Sequence, residues 1–333
     1  MELEELNRWL AERNMNGHWN GERSSQAMKP FLWKWKDIQE GLDWAGEAIT
    51  ANEAGRRTLQ LRNPSLRSAM TNTIHISVQM VKPGEIATAH RHTAAAVRFV
   101  VKGSPKCFTI VEGERFPMGE GDLITTPNWT WHDHYDGSDE PVVWLDGLDV
   151  RLVSYFGAMF QENFHRDQQP VEKPDHYSSK ILSHTRPTWI KNAHPAPPYR
   201  YAWDETYANL LALKESAGDP FDGIPLQYAN PFNGGPTLPT FSCMIQLLRA
   251  NEKTRSHRHT STTVYYAFRG QGTTKVEAEN LCWDRGDIFV VPPWQWHCHE
   301  NGSGEDAILF SITDRPAVEA LGLYREEAAG NRR

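Results

Sequence analysis

The chain contains 333 residues, of which 39% are hydrophobic, and this length is sufficient for two medium-sized domains with hydrophobic cores. Its net charge of -7 and the lack of a dense Lys/Arg run argue against nucleic acid or an anionic membrane as a partner. No apolar segment of the sequence is long enough to span a bilayer, and the acidic first residues do not resemble a signal peptide. The 4 cysteines stand apart, without CxxC spacing, as is typical of reduced thiols, and we therefore expect a cytoplasmic protein.

The N-terminal part of the chain has the periodicity of helices. Leucine and tryptophan residues at helical spacing predict a first helix over residues 3–14, and a second helix is expected over residues 37–50. From Thr58 onward the pattern changes to short β-rich runs separated by turns that contain Gly or Pro. The strands predicted in this first block cover residues 73–81, 96–101, 107–112, 122–126 and 142–148.

The next segment has a different character. Residues 160–235 are irregular and rich in Pro and Tyr, with a helix predicted near residues 205–216, and we interpret them as a connector. A second strand-rich block follows over residues 240–312. A short helix over residues 317–327 is predicted to end the chain.

The two strand-rich blocks repeat one sequence pattern. Residues 74–80 align with residues 241–247, and each segment is followed by His-Arg-His-Thr, then Gly-Asp, then Pro-x-Trp-x-Trp-His. Two β-barrels built on the same plan are the simplest interpretation of such a repeat. The predicted domains are a helical arm (1–65), a first barrel (66–158), a connector (159–237), a second barrel (238–315) and a C-terminal helix and tail (316–333).

Each repeat carries three histidines at a spacing that suits a metal site. In an extended strand, residues i and i+2 point to the same face, so His90 and His92 present two imidazoles side by side. His132 lies on a predicted strand after a Gly-Asp turn and can supply a third ligand. Three neutral nitrogens on one side of an ion leave the opposite positions open, which is typical of catalytic rather than structural sites. The second repeat offers a candidate second metal site, His257, His259 and His297.

The residues of both repeats resemble the two cupin motifs. The first motif is matched by Gly84, His90, His92 and Gly103, although the glutamate that usually follows the histidines is absent from both repeats. The second motif is matched by Gly121, Pro127 and His132, with Asp136 where Asn is usual. The second repeat matches it with Gly286, Pro292, His297 and Asn301.

A bicupin with three-histidine sites, Pro-x-Trp-x-Trp-His and Arg98 resembles the gentisate 1,2-dioxygenase family, which also contains salicylate and 1-hydroxy-2-naphthoate dioxygenases. The likeness extends to residues 32–35 and 55–64. The resemblance implies an all-β-dominated bicupin of two double-stranded β-helix (jelly-roll) barrels, with N-terminal helices and a helical or irregular connector. It also implies Fe(II) as cofactor, and cleavage of the substrate ring between the carboxyl-bearing and ortho-hydroxyl-bearing carbons with insertion of O2. A homo-oligomer, either a dimer or a tetramer, is expected.

The chemistry of the residues agrees with this expectation. Three neutral histidines on a divalent ion leave about two positive charges with no carboxylate to offset them, which favours an anionic, bidentate ligand. A small aromatic hydroxycarboxylate fits, and it leaves a position for O2. Fe(II) is the redox-active choice for these ligands, whereas zinc could bind but could not activate oxygen.

Several further residues are candidates for substrate binding and catalysis. Alternation returns Arg98 to the ligand face, where it can hold the substrate carboxylate, and His134 can donate to a substrate oxygen or carry a proton. Asp146 and Gln79 match family positions by spacing. The candidate pocket residues are Arg56, Arg57, His75 and Trp131, with His75 at a position where a salicylate-cleaving relative is expected to have Trp.

Each of these residues also has a structural alternative. Arg98 could be an ordinary salt-bridge residue and His134 a structural loop histidine, while Asp146 and Gln79 suit an orienting role better than a reactive one. The tryptophans of the Trp-x-Trp-His segments are most simply packing residues at the barrel mouths. In the second repeat, Tyr265 stands near the position of Arg98, so that barrel can hold a metal but lacks the carboxylate anchor.

Two other classes of function remain open at this point. A Mn(II) bicupin decarboxylase or isomerase would share the fold, but such enzymes usually keep the glutamate that both repeats lack. A non-enzymatic bicupin that senses a ligand is the third class, and the sequence does not exclude it.

Overall fold

The computed structural model describes residues 28–50, 57–67, 69–182 and 195–330, together with four isolated positions. The helix predicted over residues 3–14 and the pocket candidate Arg56 lie outside these ranges. Within the described ranges, no helix is long and apolar enough to cross a membrane.

The first barrel consists of two antiparallel sheets that face each other. One sheet contains, in spatial order, β12 (Tyr199–Tyr201), β8 (Leu123–Thr126), β5 (Ala96–Lys102), β10 (Val142–Leu148), β3 (His75–Val81) and β2 (Arg57–Gln60). The other contains β11 (Gln161–Asn163), β4 (Ile86–His92), β9 (His132–Asp136), β6 (Ser104–Val111) and β7 (Glu114–Met118).

The second barrel repeats this arrangement strand for strand. Its first sheet contains β1 (Phe31–Trp33), β19 (Ile288–Val291), β16 (Thr263–Arg269), β21 (Ala307–Thr313), β14 (Ser242–Leu248) and β13 (Ile224–Gln227). Its second sheet contains β18 (Glu279–Trp283), β17 (Gly272–Val276), β20 (His297–Glu300), β15 (His257–His259) and β22 (Glu326–Ala328). The all-β bicupin architecture predicted from the repeat is therefore confirmed.

In the described ranges, five helices connect or cover the barrels. They are α1 (Trp35–Ala48), α2 (Val150–Tyr155), α3 (Tyr177–Leu182), α4 (Trp203–Leu213) and α5 (Arg315–Ala320). Helix α1 buries Ile38 and Leu42 in the same hydrophobic core as Leu59 of β2, so it covers the outer face of the first barrel. The helices predicted over residues 37–50 and 205–216 correspond to α1 and α4.

The segments that precede the two barrels are exchanged between them. Strand β1 precedes the first barrel in sequence but pairs with β19 of the second, and β12 precedes the second barrel but pairs with β8 of the first. The predicted division treats these segments as an arm and a connector, whereas the structure adds a strand from each to a barrel sheet. A continuous hydrophobic core joins the two barrels, with Phe99 stacked on Phe310 at a centroid distance of 4.1 Å.

The Gly-Asp turn of each repeat anchors the exchanged segment. Asp287 accepts a hydrogen bond from the backbone N–H of Trp35 (2.8 Å) and forms an ion pair with Lys34 (2.6 Å). In the other half, Asp122 accepts the backbone N–H of Trp203 (2.9 Å) and pairs with Arg200 (2.8 Å). The same contacts on both sides show that the repeated unit includes the strand and helix before each barrel.

The predicted C-terminal helix over residues 317–327 is only partly correct. Helix α5 spans Arg315–Ala320, and Gly322 then adopts a positive φ of 71° that takes the chain out of the helix. Residues 326–328 instead form β22, which pairs with β15 at the edge of the second barrel. Pairing with an open sheet edge has overridden the local helical pattern, because backbone groups there gain hydrogen-bond partners.

We expect Gly286→Ala to destabilise the protein by about 2–4 kcal/mol, from a left-handed backbone and steric overlap together. Gly286 has a φ of +95°, and a Cβ there would lie 2.5 Å from Cγ of Trp35. Urea unfolding of the variant measures the loss. Gly302→Ala is the matched control, since a Cβ at Gly302 meets no atom within 4 Å. Equal stability of the two variants would show that the turn does not depend on this packing.

Candidate metal centre

Two neighbouring strands bring the three histidines of the first barrel together. Strand β4 carries His90 and His92, and β9 carries His132 directly opposite His90. The three side chains are buried, and one ligand atom from each lies within 4.8 Å of the others. A single ion can therefore contact all three imidazoles.

The backbone fixes the orientation of each imidazole. The Nδ1 atoms of His90, His92 and His132 lie within hydrogen-bond distance of the carbonyls of Thr88 (2.9 Å), Ala94 (2.7 Å) and Thr130 (2.9 Å). A proton on each Nδ1 satisfies these carbonyls and leaves the Nε2 lone pairs for a metal, which is the usual arrangement around metal-binding histidines.

The protonation state of His132 also suits a metal ligand. Its Nε2 is buried, with no hydrogen-bond partner among the described residues. Burial, together with His90 and Arg98 nearby, holds the pKa of His132 well below its ordinary value. The neutral imidazole that coordination requires is therefore the resting state.

The outer face of the histidine strand carries a different cluster. Arg91 lies 4.4 Å from the ring centroids of both Trp129 and Trp131, and its Nε donates to Glu162 of β11 at 2.8 Å. Trp131 also contacts Phe164 on this face. The indole of Trp131 therefore packs on the side of the sheet opposite the imidazoles, and its place in the substrate pocket stays a prediction.

Arg98 and Asp146 lie on neighbouring strands inside the first barrel. They are register partners on β5 and β10, and Arg98 Nε lies 3.4 Å from Asp146 Oδ1. Arg98 also donates from Nη1 to the hydroxyl of Thr126. Arg98 is 3% exposed, so its charge is presented in a site with little water.

Gln79 and His134 complete the polar lining of this interior. Gln79 pairs across β3 and β10 with Trp144, and its Nε2 is buried with no hydrogen-bond partner among the described residues. The His134 ring lies 6.1 Å from that of His132 and 4.9 Å from that of Trp144. Thr126 and Trp144 also line this interior but are not among the residues predicted from the motifs, although alternation along β10 from Asp146 indicates Trp144.

The remaining pocket candidates fall in different places. Arg57 forms a two-pronged ion pair with Glu85 and donates to the carbonyl of Ile49 (2.9 Å). These contacts occupy its guanidinium, and its place in the substrate pocket stays a prediction. His75 lies on the interior face of β3, at its first residue, and is half-buried. Burial, with a smaller effect of Arg151, lowers its pKa.

The second barrel presents a matching triad. His257 and His259 lie on β15 and His297 on β20, and their ligand atoms are also within 4.8 Å of one another. The register position of Arg98 is taken by Tyr265, whose ring stacks on Phe289 at 4.9 Å. The two barrels therefore share the arrangement of three histidines but differ in the charge of the neighbouring side chain, which is a cation only in the first barrel.

Known proteins resemble the chain over nearly its whole length. The cupin domain family model matches residues 77–148 and 244–313. A 5-aminosalicylate 1,2-dioxygenase of Comamonas sp. is 44% identical, covering 98% of this chain and 90% of the relative. A 1-hydroxy-2-naphthoate 1,2-dioxygenase of Nocardioides sp. is 41% identical, covering 98% of this chain and 87% of the relative. The chain belongs to the gentisate and salicylate 1,2-dioxygenase family.

Solved structures agree with this assignment. A salicylate 1,2-dioxygenase from Pseudoaminobacter salicylatoxidans, crystallised with gentisate, superposes with a TM-score of 0.89 at 28% identity. The alignment covers 99% of this chain and 94% of that one. An oxalate decarboxylase of Bacillus subtilis, at 15% identity and a TM-score of 0.53, shares the fold alone. The protein is therefore a ring-cleaving dioxygenase, and the decarboxylase and sensor alternatives are not favoured.

For the dioxygenase, we expect His132→Ala to lose metal from the first barrel and to abolish turnover while the fold is retained. The substitution removes one of three ligands, and among the described residues no other His, Cys, Asp or Glu belongs to this group of ligand atoms. Metal content per chain and circular dichroism measure the two effects, with the exposed His165→Ala as control. The opposite pattern, with activity kept in His132→Ala and abolished in His297→Ala, would reverse the assignment of the barrels.

Proposed function

We propose that the first barrel binds Fe(II) through His90, His92 and His132 and opens an aromatic ring between the carboxyl-bearing and ortho-hydroxyl-bearing carbons. The observation that carries this proposal is the buried Arg98, which lies beside the histidine triad. A fixed positive charge next to a metal site suits an anionic substrate that binds the metal and the guanidinium together.

Iron is the metal that this reaction requires. When bound, Fe(II) supplies the redox chemistry that lets O2 react with the ring, which zinc cannot provide. Three neutral imidazoles do not offset the charge of a divalent ion, so a carboxylate and an adjacent phenolate oxygen complement the site. The substrate is therefore an aromatic ortho-hydroxycarboxylate.

The protein's own groups position this substrate. Arg98 holds the carboxylate, while Asp146 and Thr126 restrain the guanidinium from two sides. Gln79 Nε2 is a buried donor available to a substrate oxygen. His134, inside the same barrel, can exchange a proton with the substrate hydroxyl.

The relatives narrow the substrate class without fixing one compound. Their names include 5-aminosalicylate, 1-hydroxy-2-naphthoate and gentisate, which all carry a carboxylate next to a hydroxyl. We infer gentisate, or a substituted gentisate or salicylate, as the substrate of this chain. A para-hydroxyl donates electron density to the ring and makes oxidation easier, which favours gentisate.

We also infer a cytoplasmic homo-oligomer, either a dimer or a tetramer. All 4 cysteines are free, as suits a reducing compartment. At the end of α2 and just after it, Tyr155, Phe156 and Phe160 are 87%, 65% and 61% exposed, an apolar surface that a second copy would cover. Light scattering on the purified protein measures the state.

We expect Arg98→Ala to lower kcat/KM for carboxylated substrates while the iron content stays unchanged. The loss of transition-state stabilisation should be about 2–5 kcal/mol. Part of this loss would come from leaving Asp146 buried without its cation. The double variant Arg98→Ala/Asp146→Asn removes that contribution, so its remaining loss of kcat/KM measures the contact between Arg98 and the substrate carboxylate. Tyr265→Phe, at the matching position of the second barrel, is the control. Unchanged steady-state kinetics in Arg98→Ala would mean that another group holds the carboxylate.

We expect activity on at least one substituted gentisate or salicylate besides gentisate. His75 offers a smaller and more polar wall than an indole, which suits larger or hydrogen-bonding ring substituents. A panel of 5-substituted salicylates and ring-substituted gentisates, assayed by oxygen uptake with saturating Fe(II), measures the range. His75→Trp should shift the ratio of kcat/KM values toward the unsubstituted ring. Turnover of gentisate alone by the wild type would show that His75 does not widen the pocket.

A further inference from the structure

The second histidine triad has a different electrostatic environment from the first. His259 and His297 direct Nδ1 to the carbonyls of Ser261 (2.9 Å) and Gln295 (3.0 Å), as the histidines of the first barrel do with theirs. The Nδ1 of His257 instead lies 3.5 Å from Oε1 of Glu326. His257 Nδ1 is buried and has no hydrogen-bond partner among the described residues, and the Glu326 carboxylate is the acceptor that lies beside this N–H. A carboxylate that accepts the N–H of a metal-bound imidazole makes the imidazole a more basic ligand and strengthens its bond to the metal.

Strand pairing places this carboxylate, and the duplication supplies a comparison for it. Glu326 of β22 is the register partner of His259. In the first barrel, the matching strand β11 puts the neutral Gln161 opposite His92. Glu326 is also held from its other side, because the hydroxyl of Tyr324 donates to its Oε2 at 2.8 Å.

A second carboxylate approaches the same interior from a turn. Asp222 Oδ1 lies 3.7 Å from Nε2 of His299, and the neighbouring Phe221 stacks on His257 with ring centroids 4.8 Å apart. The turn is fixed by the hydrogen bond from Arg255 N to Pro220 O (2.7 Å) and by the bridge between Asp219 and Gly223. It therefore covers one side of the triad and adds negative charge there.

The cation that the first barrel offers to a substrate is missing from the matching position. Tyr265 occupies the register position of Arg98, and Ser311 occupies that of Asp146. Two carboxylates near three neutral imidazoles offset the charge of a divalent cation without any anionic substrate. The same charges oppose the approach of an aromatic carboxylate.

We propose that the second barrel is a permanent site for a divalent transition-metal cation on His257, His259 and His297, with Glu326 as the carboxylate partner of His257. Asp222 supplies further compensating charge, and the site does not accept the aromatic acid. The metal then ties β15, β20 and the C-terminal strand β22 together. This proposal is independent of the function proposed for the first barrel, because it is tested by metal binding rather than by turnover.

The test uses the full-length His132→Ala protein, in which only the second triad is complete, with Zn2+ as the probe. Competition against a colorimetric chelator should give one bound Zn2+ per chain. Adding Glu326→Gln, which copies the residue of the first barrel, should weaken Zn2+ binding about 10- to 100-fold. The matched control is Glu327→Gln on the same strand, whose carboxylate faces outward onto Arg258 Nε at 3.0 Å, and it should bind Zn2+ as the parent does.

Each outcome decides the proposal. Equal weakening by the two glutamate variants would mean that strand docking, not the charge beside His257, holds the metal, and the proposal would be overturned. No Zn2+ bound by the His132→Ala parent would overturn it as well. Gentisate binding to the Zn2+-loaded Arg98→Ala/His132→Ala variant, whose first barrel lacks both the guanidinium and the third ligand, as tightly as to the wild type would overturn the exclusion of substrate.

Discussion

The structure depends on the antiparallel pairing that sets His90 opposite His132. This register places the third imidazole beside the other two, and a shift by one residue would turn it to the outer face. The backbone carbonyls that accept a hydrogen bond from each histidine Nδ1 belong to residues two positions away in sequence. The strand geometry therefore sets both the position and the tautomer of each imidazole. The metal site is therefore a product of the sheet.

Duplication has preserved this geometry while the charge around it has changed. Arg98 corresponds to Tyr265, Asp146 to Ser311, and Gln161 to Glu326. One barrel has a buried cation beside its triad and the other has carboxylates. A divalent ion needs compensating negative charge. In the functions we propose, an anionic substrate supplies this charge in the first barrel and the protein supplies it in the second.

The exchange of β1 and β12 ties the two barrels to each other, because each barrel contains a strand from the segment that precedes the other. Asp149 and Asp314, which follow the last strand of each barrel, accept hydrogen bonds from Thr240 (2.6 Å) and Thr73 (2.5 Å). Each threonine lies in the other barrel, Thr240 just before β14 and Thr73 just before β3. Together with the turns at Asp122 and Asp287, these contacts cross between the halves in both directions. A change at either junction therefore affects the support of both sites.

The sequence by itself determined the barrel fold, the grouping of the two histidine triads and the position of Arg98 on the inner face of its strand. Alternation and motif spacing are local properties of a strand, so they can be recognised without the tertiary structure. Only the tertiary structure decided that Trp131 packs outside on Arg91 and that Arg57 is committed to Glu85. The positions of Glu326 and Asp222 also required it, since Glu326 reaches His257 and Asp222 reaches His299 from segments far away in sequence. Such contacts depend on which strand edges and turns lie next to one another in the folded protein, and this cannot be predicted from a local sequence pattern.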